Sequence, residues 1–448
     1  MSSEWKNLLV SELADQGKRS TASGPFGSNL VSRDYTESGV PVIRGGNMSN
    51  GRWVGGDFAW VSEDKAEELS ANLAFPGEIV FTQRGTLGQV CLVPDGPYNK
   101  YVLSQSQMKL RVNLSICDPL FMLYQFASPG QQAYIDLNAI MVGVPHTNLG
   151  ILRDTPCQVP PLSTQKAIAH ILGTLDDKIE LNRKNNETLE AMAKALFKSW
   201  FVDFDPVRAK AEGRHTGLSA EISDLFPDSF EDSELGEIPS GWKVGTIASS
   251  VGEVFDGPHA TPKEAEEGNV FLGIKNMTGS SLNLSDVKLI GHDDWSQWTR
   301  RVEPRADDIV FTYEAALGLF AVIPHGLKCC LGRRMALIRT KAPNGAPHFW
   351  FHQFIAKPFQ KVIEERSIHG ATVNRTPLTE FPGYPILEPP ENLRLAFDHT
   401  VSSLWARINA AANQTSSLTS LRDTLLPKLI SGELRIPDAE KMLEEVGV

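Results

Sequence analysis

The residues of this sequence best suited to chemistry are cationic and amide side chains in short loops beside strand-like segments. In the first half these are Arg33, Arg44, Asn47, Arg52, Gln83, Arg84, Gln105, Gln107 and His146. In the second half the matching set is Lys275, Asn276, Arg300, Arg301, Tyr313, Glu314, Arg333, Arg334, Asn374 and Arg375. Arginine pairs with guanine edges, Asn and Gln pair with adenine edges, and any cation or N–H group can hold a phosphate. The pattern favours nucleic-acid contacts, and a solvated polar surface is the alternative.

Two glycine-containing loops open the two halves of the sequence. They read SGPFGS (23–28) and DGPHATP (256–262). Each is either a simple turn or a loop that offers backbone N–H groups to a phosphate.

Motifs for catalysis are missing from the sequence. It has no G-x-x-x-x-G-K-[ST] phosphate loop and no Asn/Asp-Pro-Pro-aromatic tetrapeptide of the amino-methyltransferases. His348 and His352 have the i, i+4 spacing of zinc ligands, but no third ligand is evident. We therefore predict no catalytic residues and no metal site.

The sequence repeats itself at an offset of 229 or 230 residues. GEIVFTQRGTLG (77–88) returns as DDIVFTYEAALG (307–318), and PVIRGGNM (41–48) returns as VFLGIKNM (270–277). One offset maintained over this length indicates a tandem duplication. The repeated IVFT predicts a buried strand in both halves, while the unshared QRGT and YEAA predict turns that present different residues.

The fold class predicted from these patterns is α+β. Runs such as GEIVFT, QVCLVP, MKLRV, DDIVFT and MALIRT, separated by Gly and Pro, are typical of strands. We expect two similar mixed α/β domains separated by two long antiparallel, coiled-coil-like helices, related by a pseudo-two-fold internal repeat.

A heptad pattern marks the two long helices. The predicted seam of the helix pair consists of Ile168, Leu172, Leu175, Ile179, Asn182, Asn186, Leu189, Leu196, Phe397, Val401, Leu404, Ile408, Leu418 and Leu425. The 4-3-4-3 spacing predicts that each stripe is buried against the other helix. The polar centre at Asn182 and Asn186 either fixes the register or marks an opening for a partner helix.

The charge of the chain is −11, which taken alone argues against nucleic acid. The acidity is concentrated in residues 162–240, where nine Lys/Arg face fifteen Asp/Glu, while residues 241–390 hold sixteen of each. Five cysteines without a C-x-x-C spacing predict buried free thiols in a reducing cytoplasm. No run of apolar residues is long enough to predict a membrane span.

With this order of parts the whole sequence resembles the specificity subunit of Type I restriction–modification systems. The most specific stretch is QKAIAHILGTLDDKIELNRKNNETLEAMAKALFKSWFVDFDPV (165–207), which is similar to the central helical region of that family. TLLPKLISGELRI (424–436) resembles the end of the family's last helix, and SGPFGSNLVSRDY, GVPVIRGGNM and GEIVFTQRGTLG resemble its target-recognition domains. GRRMALIR does so more loosely.

The resemblance implies a subunit with no active site of its own. Each target-recognition domain would read one half of a bipartite, asymmetric site in double-stranded DNA. The helices would set the gap and dock two methyltransferase subunits. Translocating restriction subunits would join them to form an adenine-specific DNA methyltransferase and endonuclease. S-adenosylmethionine, ATP and magnesium would be bound by those partner subunits.

The resemblance and the repeat together predict six segments. They are a first target-recognition domain (1–161), a first spacer helix (162–202), a linker (203–240), a second target-recognition domain (241–390), a second spacer helix (391–436) and a C-terminal tail (437–448). Two other interpretations stay open. One is a self-contained DNA methyltransferase, against which the missing tetrapeptide argues, and the other is a duplicated protein-binding adaptor that does not act on DNA.

Overall fold

The computed structural model describes residues 5–48, 51–284, 286–341, 345–370, 373–445 and 447. The chain forms two compact units. Unit 1 consists of Met1–Arg183 and Asn413–Val448, and unit 2 consists of Lys184–Ala412. Each unit therefore contains one globule and one half of each long helix.

Unit 1 begins with eleven short strands and five short helices. The strands are β1 (Lys6–Leu9), β2 (Thr21–Ser23), β3 (Tyr35–Thr36), β4 (Val40–Ile43), β5 (Ala59–Val61), β6 (Leu73–Ala74), β7 (Ile79–Thr82), β8 (Val90–Leu92), β9 (Tyr101–Leu103), β10 (Gln107–Leu110) and β11 (Pro156–Val159). The helices are α1 (Val10–Leu13), α2 (Glu63–Glu68), α3 (Pro119–Ala127), α4 (Pro129–Asn138) and α5 (Leu149–Arg153). The first long helix, α6 (Leu162–Phe201), follows Pro160 and Pro161 and continues into unit 2.

The remaining elements repeat part of this order. The strands are β12 (Phe230–Ser233), β13 (Gly236–Pro239), β14 (Lys243–Thr246), β15 (Gly252–Asp256), β16 (Asn269–Leu272), β17 (Lys288–Ile290), β18 (Ile309–Thr312), β19 (Phe320–Val322), β20 (Cys329–Leu331), β21 (Met335–Thr340) and β22 (Pro385–Glu388). The helices are α7 (Asp205–Ala211), α8 (Ala220–Ser223), α9 (Trp295–Trp298), α10 (Pro347–Ile355), α11 (Lys357–Arg366), the second long helix α12 (Glu391–Ile430) and α13 (Ile436–Glu445).

Two sheets of each globule share their central strand order. An antiparallel sheet of order β2-β10-β7-β8 in unit 1 matches β15-β21-β18-β19 in unit 2. A second sheet contains β5-β4-β9 in unit 1 and β17-β16-β20 in unit 2, each with one parallel pair. The two IVFT runs are β7 and β18, central and fully buried in their sheets. The predicted α+β fold class and internal repeat are confirmed.

A buried ion pair is repeated with the strands. Glu78, just before β7, accepts from Lys109 Nζ of β10 at 2.7 Å, and both side chains are almost completely buried. Asp308, just before β18, accepts from Arg339 of β21 at 2.6 Å. Each carboxylate also accepts a backbone N–H three residues before it. Because a buried charge is tolerated only when it is paired and hydrogen-bonded, this pair fixes the register of the two central strands.

The two long helices run antiparallel within each unit. In unit 1, Arg422 of α12 contacts Asp176 of α6 at 2.9 Å, and Asn182 donates to Gln414 Oε1 at 2.9 Å. In unit 2, Asn186 Nδ2 donates to the carbonyl of Ile408 at 3.2 Å. The partner number falls as the α6 number rises, which defines the antiparallel direction. The polar centre makes cross-helix hydrogen bonds, so the contacts support the register interpretation.

Most of the predicted stripe is buried. Fully buried members are Ile168, Leu172, Leu175, Phe397, Val401, Ile408, Leu418 and Leu425, while Ile179, Leu189, Leu196 and Leu404 are half-buried. In the last turns of α6, Phe197 and Phe201 are also buried. There the burial extends one position beyond the heptad, because the globule of unit 2 covers that side of the helix.

The helix–globule junctions of the two units have different chemistry. In unit 1 the junction is ionic: Tyr124 of α3 donates to Asp176 at 2.6 Å, and Arg52 donates to the carbonyl of Gly173 at 2.7 Å and pairs with Asp177. Burial and the neighbouring Asp176 raise the pKa of Tyr124.

In unit 2 the junction is aromatic. Phe397 of α12 contacts the rings of Phe197, Trp200, Phe201 and His352 at centroid distances of 5.3–5.9 Å. Burial lowers the pKa of His352 to about 3, with smaller contributions from His348 and Lys194. His352 is therefore neutral and accepts from Trp405 Nε1 at 3.3 Å.

Two segments that the sequence analysis placed outside the domains contain regular structure. The segment 203–240 includes α7 and the β12–β13 hairpin, and Ile238 of that hairpin is buried in the core of unit 2. The C-terminal segment forms α13, whose Ala439 and Leu443 pack into the core of unit 1. The domain boundaries proposed from the sequence stay predictions.

All five cysteines are buried and free, as the sequence analysis predicted. Burial raises the pKa of each thiol to about 12. Within the described ranges, no helix is both long enough and apolar enough to cross a membrane.

Candidate nucleic-acid interface

Five loops of unit 1 meet at one edge of its four-stranded and five-stranded sheets. The backbone N–H groups of Gln83 and Arg84 donate to the carbonyl of Ser106 at 2.6 and 3.3 Å. Thr147 N–H donates to the Gln83 carbonyl at 2.9 Å, and Gly24 N–H donates to the Gln107 carbonyl at 2.8 Å. Ser104 N–H donates to the carbonyl of Ile43, the last residue of β4, at 2.9 Å. We call the resulting surface the unit 1 edge; it consists of residues 24–30, 44–48, 83–88, 104–107 and 140–147.

The unit 1 edge carries cations without carboxylates. None of its residues is Asp or Glu, in a chain whose net charge is −11. Arg44 and Arg84 are exposed, and among the described residues neither guanidinium has a hydrogen-bond or ion-pair partner. Arg33, on the adjacent 3-10 turn, is exposed in the same way. These three arginines are free to meet an anion.

His146 is held beside Arg84 at this edge. Its backbone pairs with Ile140, and an isolated β-bridge joins it to Arg84. The ring Nδ1 lies 3.1 Å from the Val144 carbonyl. Nε2 is the ring atom left for an outside ligand.

Four other residues of unit 1 that were predicted to contact DNA form hydrogen bonds within the protein instead. Asn47 is buried, accepts from the Arg44 N–H at 3.0 Å and donates to the carbonyls of Gly55 and Asp57. Gln105 donates to the carbonyls of Gly27 and Leu30, Gln107 is fully buried against Ser104, and Arg52 belongs to the helix junction. The geometry favours bracing of the loops by these side chains rather than base contacts. Gln83 is half-buried beside Arg84.

Unit 2 has an edge built by the same backbone contacts. Tyr313 N–H donates to the Arg334 carbonyl at 3.2 Å, Thr376 N–H donates to the Tyr313 carbonyl at 2.8 Å, and Gly257 N–H donates to the Met335 carbonyl at 3.0 Å. A β-bridge joins Glu314 to Arg375, in the place of the Arg84–His146 bridge. We call this surface the unit 2 edge; it consists of residues 257–262, 273–277, 313–318, 332–334, 368–370 and 373–376.

Four of the predicted residues of unit 2 point to solvent. Arg300, Arg333, Asn374 and Arg375 are exposed. Within the described part of the chain, the side chains of Arg300, Arg333 and Arg375 have no partner. Arg334, by contrast, is half-buried with a φ of 72° and pairs through Nε with Glu314 at 3.0 Å.

The remaining predicted residues of unit 2 have partners. Asn276 is buried and repeats the role of Asn47, donating to the carbonyls of Asn283 and Asp286 at 3.0 Å. Lys275 pairs with Asp286 at 2.8 Å. Tyr313 is buried and donates to Asp256 at 3.1 Å. Burial and Asp256 raise the pKa of this tyrosine. Tyr313 and Glu314 thus brace the turn in which they lie.

A cavity of about 310 Å³ adjoins the unit 2 edge. Its lining includes Asp256, His259, Trp298, Arg300 and Arg301. Asp256 accepts from His259 at 2.6 Å and from Arg301 at 2.8 Å. The sequence analysis interpreted DGPHATP as a turn or phosphate loop and did not predict these contacts of its first residue, Asp256.

Large exposed apolar side chains at the unit 1 edge were also missed. Phe26 is 76% exposed, and Met141, Val142 and Val144 are exposed on the loop that carries His146. They are neither polar nor cationic, the two properties from which the site was predicted. Within the described residues, no group of three or more His, Cys, Asp or Glu could hold a metal ion.

The two units share their central sheet order and the backbone contacts of their edges. Residues 3–191 match the family described as the Type I restriction modification DNA specificity domain. The chain is 26% identical to the HindI specificity subunit of a Type I restriction enzyme from Haemophilus influenzae, covering 96% of this chain and 100% of the relative. It is 22% identical to the MjaIX specificity subunit from Methanocaldococcus jannaschii, covering 97% and 95%.

The fold also matches a solved structure. The S subunit of a Type I restriction–modification system from M. genitalium superposes with a TM-score of 0.57 at 18% identity, covering 95% of this chain and 96% of that one. The resemblance of this chain to the specificity subunits of Type I restriction–modification systems is therefore confirmed.

Proposed function

We propose that the chain is the non-catalytic subunit that recognises the DNA target of a Type I restriction–modification complex. Each edge would read one half of a bipartite, asymmetric site in double-stranded DNA. The observation that carries this proposal is the repeated edge: the same backbone frame presents exposed, unpaired arginines in both units.

Electrostatics supports DNA as the ligand of the edges. Free arginines at or beside the edges include Arg33, Arg44 and Arg84 in unit 1, and Arg300, Arg333 and Arg375 in unit 2. A free guanidinium can pair bidentately with guanine or with a phosphate. Phosphate contacts position the protein, whereas base contacts specify the sequence.

The length of the two long helices suits a role as a spacer between the half-sites. Each contains 40 residues, which corresponds to about 60 Å at 1.5 Å per residue. That length equals about 18 base-pair steps of 3.4 Å, enough for two reading surfaces on one duplex. We propose that the helix pair sets the gap between the half-sites.

The helices would also dock the catalytic partners. The acidic excess of residues 162–240 suits protein partners better than phosphates. We propose two methyltransferase subunits, with restriction and translocation subunits joining them. S-adenosylmethionine, ATP and magnesium would be bound by those subunits, and the chain would act in the cytoplasm.

The test is DNA binding by the full chain together with its methyltransferase subunits over a series of salt concentrations. If several phosphates are contacted, the logarithm of the association constant should fall linearly with the logarithm of salt, with a slope of about −0.9 per phosphate. Binding without salt dependence, or no binding, would favour the protein-binding adaptor. Methyl transfer by the purified chain alone would favour the self-contained methyltransferase.

A further inference from the structure

The loop from Ile140 to Thr147 ends in an exposed apolar tip. Met141 is 70% exposed, Val142 83% and Val144 56%, and Gly143 makes the turn between them with a φ of 75°. Isolated exposed apolar residues are ordinary, but consecutive ones on one turn mark an interaction site. We call residues 141–144 the apolar tip.

The apolar tip is held in place by backbone hydrogen bonds. Ile140 N–H donates to the His146 carbonyl at 2.8 Å, and His146 N–H donates back to the Ile140 carbonyl at 3.1 Å. Gly85 N–H donates to the Pro145 carbonyl at 3.1 Å. These bonds attach the loop to the turn of Arg84, so the apolar tip and the free guanidinium belong to one surface.

The residues around the apolar tip favour DNA as its ligand. The unit 1 edge contains arginines but no carboxylate, so a polyanion is the favoured ligand. Phe26 lies on the next loop, which Gln105 holds through the carbonyls of Gly27 and Leu30. A partner protein with an apolar docking surface would not need the positive charge of the arginines. A purely electrostatic DNA contact would not need the apolar side chains.

The chemistry of base edges narrows the contact further. The side chains of Met141, Val142 and Val144 offer no hydrogen-bond donor that could select a base. The 5-methyl group of thymine is the apolar group that the major groove presents, and apolar side chains recognise it by contact. Beside it, Arg84 would supply the polar contact to a base or phosphate.

The corresponding loop of unit 2 has a different character. Ile368 pairs with Arg375 as Ile140 pairs with His146, and among the described residues between them His369 and Asn374 are exposed and Val373 is half-buried. Polar and cationic groups thus take the place of the apolar tip. Methyl recognition should therefore be confined to the half-site of unit 1.

We propose that the apolar tip Met141–Val144 reads the 5-methyl group of at least one thymine in the half-site contacted by unit 1. This inference rests on the proposed function, since it names a chemical feature that the unit 1 edge selects. It also predicts that this half-site contains an A·T pair at a fixed position.

The experiment replaces thymine by deoxyuridine, which removes only the methyl group. The target is first selected from a randomised duplex library by the full chain with its methyltransferase subunits. Each thymine of the selected site is then replaced singly, and binding is measured at one salt concentration. Loss of one methyl contact should weaken binding about fourfold, the value for exposing one apolar carbon group.

Protein variants assign the effect to the apolar tip. Val142→Asn combined with Met141→Gln replaces the apolar groups by polar side chains without a methyl group, at positions too exposed to affect folding. This double variant should bind the thymine and deoxyuridine sites equally. Leu114→Gln is the control, because Leu114 is 68% exposed but follows the other end of β10. It should retain the fourfold difference.

Two results would overturn the inference while leaving the proposed function intact. One is salt-dependent, sequence-selective binding in which no thymine of either half-site is sensitive to loss of its methyl group. The other is a double variant that remains as sensitive as the unmodified protein. If the unmodified protein shows no salt-dependent binding at all, the proposed function itself fails and the inference falls with it.

Discussion

The edges of units 1 and 2 share one backbone frame but present different surfaces. After the same IVFT strand, unit 1 places the free guanidinium of Arg84, with an apolar tip beside it. Unit 2 places Glu314 at the corresponding position, neutralised by Arg334, and exposes Arg333 and Arg375 instead. The repeated strand is required by the sheet in both units, whereas the turn that follows is free to vary. A duplicated scaffold can thus carry two different recognition surfaces.

The junctions between helix and globule differ in the same way. Unit 1 uses the ionic set Arg52, Tyr124, Asp176 and Arg422, and unit 2 uses rings packed around Phe397. Both solutions attach a globule to the long helices. Their responses to substitution and to pH should differ.

The largest expected effect is at the aromatic junction. Phe397→Ala should lower the free energy of unfolding by ~3–5 kcal/mol, because it leaves a cavity among well-packed rings. Chemical denaturation measures the loss, and hydrogen exchange should locate it in unit 2. His399→Ala, an exposed position two residues along the same helix, should change stability by less than about 0.5 kcal/mol. Equal effects of the two variants would show that the aromatic junction does not stabilise unit 2.

The free arginines should affect DNA binding next most strongly. Arg84→Ala should weaken binding by ~1–3 kcal/mol if the guanidinium contacts a base edge, and Arg333→Ala should do the same through unit 2. Fluorescence anisotropy with the assembled complex measures both. Asn47→Ala is not a suitable control, because that side chain braces its loop. Arg214→Ala, an exposed arginine of the linker, should leave the affinity unchanged.

The two junctions should also differ in how their stability responds to low pH. The pKa of His352 is lowered in the folded state, so its stabilising contribution is complete above the unfolded value of about 6.5. That contribution is lost as the pH falls from about 6.5 towards 3, since only the unfolded state binds the proton. The loss amounts to about 1.4 kcal/mol per pH unit in that range. His352→Gln keeps an acceptor for Trp405 and should remove this slope from denaturation curves recorded between pH 6 and 4. An unchanged slope would assign the acid sensitivity to other groups.

The smallest effect concerns the Glu314–Arg334 pair. Glu314→Gln removes the negative charge from the unit 2 edge and leaves Arg334 uncompensated. Stability should change by at most about 1 kcal/mol, as for other partly exposed ion pairs. DNA binding should strengthen slightly at low salt, and its salt slope should become more negative by about 0.9 if Arg334 reaches a phosphate. Weaker binding would show that Glu314 itself contacts the DNA.

The sequence predicted the parts of the fold that obey local periodicity. The IVFT strands and the outer seam positions, such as Leu172 and Val401, lie where alternation and the heptad place them. The hairpin at 230–239 and helix α13 were not predicted, because their burial depends on contacts with distant elements. Local sequence carries no record of those contacts.

The candidate sites were predicted less completely. Asn47 and Asn276 attracted attention through the repeat, but their function in the fold depends on carbonyls up to ten residues away. Residue type alone does not separate an amide that braces a loop from one that reads a base. Arg52 is a similar case, because its partners Tyr124 and Asp177 come from α3 and α6. The apolar tip was not predicted, because it contains no polar or cationic side chain.

The most direct test of the account is selection of DNA targets from a randomised library by the complete complex, with the unmodified chain, Arg84→Ala and Arg333→Ala in parallel. Sequencing should show a two-part target for the unmodified chain. Arg84→Ala should relax one half of that target and Arg333→Ala the other half, with the gap unchanged. Both variants relaxing the same half, or neither altering the target, would contradict the claim that each edge reads its own half-site.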